Sequence, residues 1–192
     1  MTGDTVEHPH EEFVPAGIVR QSLASQYHAV LAMLRDVVTR CPHDLWETGD
    51  VPFWQVAYHT LYYADLYLRP TESDFHPCRF HQRYMQHLDG VPGPPELDDI
   101  LEGPDPAPRR VAALTPADIR EYLELVDDMV DHEVARADLT AATTGFSWHC
   151  PQRPRLEQHI DNIRHVQHHA SLLRGRLIAA GADAGTWIGT KS

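Results

Sequence analysis

The sequence predicts an all-α protein: a four-helix bundle with a long proline-rich crossover between its second and third helices. Four stretches carry apolar residues at helical spacing, no stretch alternates convincingly as a strand would, and prolines crowd the region between the second and third stretch. At 192 residues the chain is predicted to form one domain. We expect the bundle over residues 14–182, a flexible N-terminal tail over 1–13 and a C-terminal tail over 183–192.

The first two helices are defined by different apolar patterns. The first is predicted from about Pro15 to about Arg40, and its stripe consists of Val19, Leu23, Tyr27, Val30, Leu34 and Val37. The second is predicted from about Pro52 to about Leu68 and is apolar almost all round, so we expect it to be the most buried helix. A short loop joins the two, which predicts that they are antiparallel neighbours.

The crossover, residues 69–115, is predicted to be an irregular insert. Eight prolines prevent long regular elements there: Pro70, Pro77, Pro92, Pro94, Pro95, Pro104, Pro106 and Pro108. Its length allows the second and third helices to run parallel. Three roles are open for the insert, since it could cover a pocket, mediate a dimer contact or do neither.

The last two helices have clear boundary signals. Thr115 is the expected cap of the third helix, with Pro116 in its first turn and Asp118 completing a capping box; its stripe is Ile119, Leu123, Val126, Val130 and Val134. The fourth is predicted from near Pro154 to near Gly181, with Gly181 as the residue that ends it. Its inward residues are expected to be Leu156, Ile160, Ile163, Val166, Ala170, Leu173 and Leu177.

Composition excludes several classes of function. A formal net charge of −12 argues against binding to nucleic acid, which requires clustered Lys and Arg. The sequence contains no stretch of the roughly 20 apolar residues that a membrane span needs and no N-terminal leader pattern. Three scattered cysteines, Cys41, Cys78 and Cys150, make a poor disulfide framework and suit a reducing compartment. We therefore expect a cytoplasmic protein with no membrane partner.

Three histidines on two predicted helices are the strongest chemical signal. His165 and His169 are one helical turn apart on the fourth helix and therefore share a face, so both imidazoles can bind one metal ion. His59 lies on the second helix and would supply a third nitrogen. Such a site keeps a coordination position open, as catalytic metal sites do. Asn162 is expected to offer a supporting hydrogen bond, and Tyr63 follows His59 by one turn.

The other histidines have less specific interpretations. With 14 histidines in the chain, a pair at this spacing also arises by chance, and most of them are expected to be surface or packing residues. His159 lies near the middle of the apolar stripe, as either a fourth ligand or a buried histidine bonded to a backbone or tyrosine group. His168 is predicted to be exposed. A second potential ligand set, His76, Cys78 and His81, matches no zinc spacing that we can justify.

The two motifs that carry these histidines, Phe53–Thr60 around His59 and Asn162–His169 around His165 and His169, together resemble the DinB-like superfamily of metal-binding four-helix bundles. The resemblance covers roughly residues 15–181 without the insert. It implies that His59, His165 and His169 bind a divalent metal, most often zinc or nickel, with iron or manganese as alternatives. The long insert departs from the commoner family pattern.

The resemblance also implies a function. Characterised relatives include transferases and isomerases that use low-molecular-weight thiols such as mycothiol or bacillithiol. We therefore expect a metal-dependent thiol S-transferase or hydrolase that activates a thiol or water for reaction with a small molecule, with no protein side chain assigned as the catalytic group. A non-enzymatic, stress-related bundle that binds a metal or ligand is the alternative, and a bundle without metal is a third. A homodimer is expected because related bundles commonly pair.

Overall fold

A computed structural model describes residues 15–88, 112–148 and 153–191 of the chain. These residues form five α-helices, one short 3-10 helix and no strand, so the all-α prediction is confirmed for them. The helices are α1 (Ala16–Arg40), α2 (His43–Trp46), α3 (Phe53–Leu68), α4 (Pro116–Arg136) and α5 (Arg155–Ala179), and the 3-10 helix is Glu72–Asp74. The predicted N-terminal tail and residues 89–111 of the predicted insert lie outside the described residues. No helix in the described ranges is long and apolar enough to cross a membrane.

The four long helices pack in an arrangement that the loop lengths do not predict. Both α1 and α3 pack against α4 and against α5, while α1 and α3 lie diagonally opposite each other with at most a minor contact between them. The prediction that these two helices are neighbours is therefore wrong. The physical reason is the connection between them, since it contains α2, whose Trp46 is buried and donates its indole N–H to the carbonyl of Leu114 at 2.7 Å.

The helix directions follow from paired contacts. Tyr122 on α4 donates a hydrogen bond to Asp65 on α3, and further along both helices Arg69 lies near Glu133, so α3 and α4 run parallel as the long crossover allows. On α1, Arg20 donates to the carbonyl of Val134 near the end of α4, so those two helices are antiparallel.

The apolar stripes of α1 and α4 form the core largely as predicted. All five predicted α4 residues are buried, and five of the six predicted α1 residues are buried while Val19 is partly buried. The prediction that α3 is the most buried helix is confirmed, because 12 of its 16 residues are buried, the largest share among the four long helices. One line of the helix, Gln55, His59, Tyr63 and Tyr67, is partly exposed. Burial of apolar side chains is the main source of the stability of the folded state.

The buried face of α5 differs from the predicted apolar stripe. Ile160 is 47% exposed and Ile163 is only partly buried, whereas Gln158, His159 and Asn162 are fully buried. Hydropathy fails here for His159 and Asn162 because partners in the core bind them: Nδ1 of His159 lies 3.1 Å from the hydroxyl of Tyr27, and Asn162 donates its amide N–H to the carbonyl of Ala64 on α3 at 3.1 Å. The side chain of Gln158 has no such partner in the described part of the chain.

The predicted start of α4 and the predicted end of α5 are confirmed. Thr115 and Asp118 form the reciprocal capping box at the start of α4, and Gly181 follows α5 with φ +70°, a backbone conformation that favours glycine. The residues after it extend along α1 in the reverse direction, since Arg40 pairs with Asp183 and Gln26 donates to the carbonyl of Gly189.

Candidate metal centre

Three histidines from two helices meet at one point of the α3–α5 interface. Nitrogen atoms of His59, His165 and His169 able to bind a metal all lie within 4.8 Å of one another, and we call these three residues the histidine cluster. Their ring centroids are 4.6–5.2 Å apart. In the described ranges, no other group of three or more His, Cys, Asp or Glu side chains has a comparable arrangement.

Contacts between α3 and α5 on one side of the cluster set the relative position of the two helices. The amide of Asn162 spans from α5 to the backbone of Ala64, and the guanidinium group of Arg155 donates to the carbonyls of Leu68 and Arg69 at 3.2 and 2.5 Å. These side chains anchor α5 against the C-terminal half of α3. The histidine pair on α5 is thereby held opposite His59.

A backbone carbonyl orients the His59 ring. Its Nδ1 atom lies 2.5 Å from the carbonyl oxygen of Gln86, and because a carbonyl can only accept, the proton belongs on Nδ1. The other nitrogen, Nε2, is then a lone-pair donor, and it lies 3.1 Å from Nε2 of His165. Two imidazoles on one tetrahedral zinc ion, with Zn–N bonds of about 2.05 Å, have their nitrogens about 3.3 Å apart. The observed separation is close to that value.

The electrostatics of the cluster favour neutral imidazoles. Burial, followed by the neighbouring histidines, lowers the pKa of His165 from 6.5 to about 2 and the pKa of His169 to about 3. Both rings are therefore unprotonated at neutral pH, which is the form that binds metals. The cluster includes no carboxylate, so a bound divalent ion would retain its full charge.

Tyr63 lies against the cluster, as its position one turn after His59 predicts. Its ring centroid is 4.9 Å from that of His59 and 5.8 Å from that of His165. The tyrosine ring thus packs on two of the three imidazoles and limits their rotation.

An apolar groove opens on the opposite side of the cluster, at His169. It has a volume of about 370 Å³, and its walls include Val51, Val56, Leu88, Leu172 and Arg176. Leu88 belongs to the predicted insert, and so does Gln86. Residues 86–88 of the insert therefore lie beside the cluster and its groove, and the three roles stay open for the insert as a whole.

Other predicted site residues are placed elsewhere. His159 is fully buried, and its Nδ1 lies 3.1 Å from the hydroxyl of Tyr27, which corresponds to the tyrosine-bonded interpretation and not to a fourth ligand. His168 is exposed, as predicted. Asn162 was expected to support a ligand but donates to Ala64 instead, so that expectation is wrong.

The second potential ligand set does not assemble. Nδ1 of His81 lies 2.5 Å from the hydroxyl of Tyr58, and the set is not among the described groups that could hold a metal. His76 is exposed. His149 and Cys150, which follow Trp148, lie outside the described residues.

Comparisons with protein-family models, curated proteins and solved structures give no match to this chain. The functional argument therefore depends on the geometry of the histidine cluster and on the sequence pattern that carries it. Three imidazole side chains, no carboxylate and an adjacent groove are together typical of an open metal site and not of a closed structural one.

Proposed function

We propose that this chain is a DinB-like four-helix bundle in which His59, His165 and His169 bind one divalent metal ion. We further propose that it is a metal-dependent enzyme acting on a small molecule through a thiol or water. The observation that carries the proposal is the separation of 3.1 Å between Nε2 of His59 and Nε2 of His165, with His169 completing the cluster.

The residues present fit a metal ion. Nδ1 of His165 and Nδ1 of His169 are buried and form no hydrogen bond within the described part of the chain, whereas buried polar atoms in proteins nearly always have a partner. Coordination through Nδ1 would give that atom of His169 a partner, whereas His165, whose Nε2 lies 3.1 Å from Nε2 of His59, would coordinate through Nε2 and keep an unpaired Nδ1. Three imidazoles without a carboxylate favour zinc or nickel, with iron as an alternative, and suit manganese least.

A divalent ion held by three neutral ligands supplies an open coordination position and a positive charge that promotes ionisation of a thiol or water. Side chains and backbone groups of the chain orient the histidine rings and provide the surface that a small molecule would contact. The carbonyl of Gln86 fixes the tautomer of His59, and Tyr63 restrains the imidazole rings. Leu88 and Leu172 offer apolar walls against which a small molecule can bury its surface.

The thiol part of the proposal is supported by the family resemblance alone. A low-molecular-weight thiol as co-substrate and a non-enzymatic role in metal or ligand binding make different predictions. Turnover of thiol conjugates by the metal-loaded protein supports the enzyme, whereas stable metal binding without turnover of such conjugates supports the binding module.

Elemental analysis of the untagged protein after dialysis tests the metal site. We expect about one equivalent of metal in the wild type and its loss in His59→Ala and His165→Ala, because two nitrogen ligands hold a divalent ion less tightly than three. His168→Ala is the matched control, since this exposed histidine neighbours His169 in sequence but is not part of the cluster.

Circular dichroism of each variant establishes that it is folded. A wild-type protein that contains no metal and takes none up on titration with zinc, nickel or iron contradicts the proposal. Unchanged metal content in both folded ligand variants contradicts it as well.

A further inference from the structure

The groove beside His169 combines apolar walls with one cation. Val51, Val56, Leu88 and Leu172 provide aliphatic surface, and Leu172 is 49% exposed although it is a large apolar residue. Arg176 is the charged member of the lining. A groove of about 370 Å³ falls in the size range of small-molecule sites.

Arg176 has no acidic partner, a property that it shares with Arg20, Arg155 and Arg174 among the described arginines. Its Nη1 donates to the carbonyl of Val51 at 2.8 Å, which holds the guanidinium group at the groove. It pairs with no carboxylate in the ranges that the structure describes, whereas Arg69 and Arg79 each pair with an acid. A guanidinium group has five N–H donors in a planar fork, so donors remain for a ligand.

The spacing between Arg176 and the cluster sets the length of that ligand. Arg176 follows His169 by seven residues, which is about two helical turns on the same face and about 10 Å along the helix axis. A molecule that spans this distance needs a backbone of about six to eight carbon atoms. Its middle would contact Leu172 and the other apolar walls.

We propose that the groove binds a small organic carboxylate whose apolar body lies along Val56, Leu88 and Leu172. Its carboxylate pairs with Arg176, and its reacting group lies at the histidine cluster. Arg and carboxylate form two parallel charge-assisted hydrogen bonds, which gives the groove selectivity for an anionic end over a neutral one. This inference rests on the proposed metal site for the reacting end of the ligand and on Arg176 alone for the other end.

Binding of matched thiols to the cobalt(II)-loaded protein tests the proposal without any assay of activity. The probes are 6-mercaptohexanoate and 6-mercapto-1-hexanol, which have the same length and differ in charge, and the visible absorption of cobalt reports binding. We expect the carboxylate to bind about tenfold more tightly to the wild type. A shorter probe, 3-mercaptopropionate, should lose that advantage because it cannot reach Arg176.

Arg176→Gln should bring the ratio of the two affinities close to one and leave the affinity for 6-mercapto-1-hexanol unchanged. Arg164→Gln is the matched control, because it removes the same charge from an exposed position on the same helix. Preference for the carboxylate should persist in that control. Equal affinities in the wild type, or a preference that survives Arg176→Gln, overturn the proposal.

A metal-independent measurement separates this inference from the proposed function. Octanoate added to the metal-free protein should shift the NMR signals of Leu172 and Val56 in the wild type and in Arg164→Gln, and should not do so in Arg176→Gln. Failure to bind cobalt together with specific octanoate shifts overturns the metal site and supports the groove. Cobalt binding without octanoate shifts or thiol selectivity overturns the groove and supports the metal site.

Discussion

Nδ1 of His59 lies 2.5 Å from the carbonyl oxygen of Gln86, a residue 27 positions further along the chain. The segment after α3 thus returns to the helix that precedes it and supplies the hydrogen bond that orients a predicted metal ligand. Partners of this kind fix which nitrogen of a ligating histidine is available to the metal. In this chain the acceptor is a backbone atom.

The tautomer of His59 follows from that contact. In the metal-free protein at neutral pH, we expect His59 to carry its proton on Nδ1. Long-range ¹H–¹⁵N correlation spectra distinguish the two tautomers directly. A proton on Nε2 would contradict the assigned role of Gln86.

Met85 anchors the segment that carries this carbonyl. Its side chain is inaccessible to solvent, so Met85→Ala should lower the free energy of unfolding by about 2–5 kcal/mol. Loosening of the segment should also weaken metal binding about tenfold, because the contact to His59 would be less well held. Urea unfolding and competition with a zinc-binding dye measure the two effects.

Met129→Ala is the control for Met85. Met129 lies on α4, is only partly buried and is remote in sequence from the cluster. This variant should lose less stability and keep the metal affinity of the wild type. An equal loss of affinity in both variants would show that the segment has no specific role.

The predictable part of the structure is the part that apolar periodicity controls. On α4, Ile119 and Val130 follow a plain helical stripe, and Thr115 and Pro116 are strong start signals. The pairing of His165 and His169 was also predictable, since their spacing depends only on helical geometry, whereas the approach of His59 depends on how α3 packs against α5.

What the sequence did not predict depends on contacts between distant segments. The orienting partner of His59 is the backbone of Gln86, and a carbonyl leaves no residue-type signal. Asn162 was expected to support a ligand because it shares a sector of the helix with His165 and His169, but its amide donates to the carbonyl of Ala64. Similarly, Ile160 fits the spacing of a core residue and yet is exposed, because polar residues occupy the buried face of α5.

The homodimer stays a prediction. Besides the pairing of related bundles, an apolar second helix would favour a dimer by offering surface to bury. That helix is α3 in the structure, and it already buries its apolar residues within one chain against α4 and α5. Light scattering at micromolar concentration would give about 22 kDa for a monomer, from a chain mass of 21.8 kDa, or twice that for a dimer.

Arg155 supports the connection between α3 and α5. It is 5% exposed and donates to the carbonyls of Thr144, Leu68 and Arg69. Arg155→Met would leave these carbonyls without their charged donor, so we expect a loss of at least about 3 kcal/mol in the free energy of unfolding.

Arg155→Lys should recover only part of that loss, because an ammonium group lacks the planar fork of a guanidinium. Arg164→Met, at an exposed position of α5, should change the stability by less than about 0.5 kcal/mol. Urea unfolding compares the three variants. An unchanged free energy of unfolding in Arg155→Met would mean that water satisfies the three carbonyls as well as the guanidinium does.

Two glycines should respond oppositely to alanine. Gly145 has φ +85°, and a Cβ atom there would clash with the carbonyl oxygen of Pro70, so Gly145→Ala should destabilise the protein by more than about 1 kcal/mol. Gly17 lies in α1 with open space around it, so Gly17→Ala should stabilise the protein by up to about 1 kcal/mol. Thermal unfolding should show a lower melting temperature for Gly145→Ala and a higher one for Gly17→Ala than for the wild type.

His159 should make the stability of the protein dependent on pH. Burial, with smaller contributions from Arg155 and Arg20, lowers the pKa of His159 from 6.5 to about 4 in the folded state. The unfolded chain therefore binds a proton at this residue at a higher pH than the folded protein does. Stability from this residue is complete above pH 6.5 and is lost as the pH falls from about 6.5 to about 4.

His159→Gln isolates that contribution. The variant loses the Tyr27 contact at every pH but has no group to protonate, so its stability relative to the wild type should improve by about 3 kcal/mol between pH 7 and pH 4. Urea unfolding of the metal-free proteins at both pH values measures this difference. The lowered pKa values of His165 and His169 also make stability depend on pH, but equally in the wild type and the variant, so their contributions cancel in the comparison. A stability difference that does not change with pH would show that His159 titrates normally and that its environment admits water.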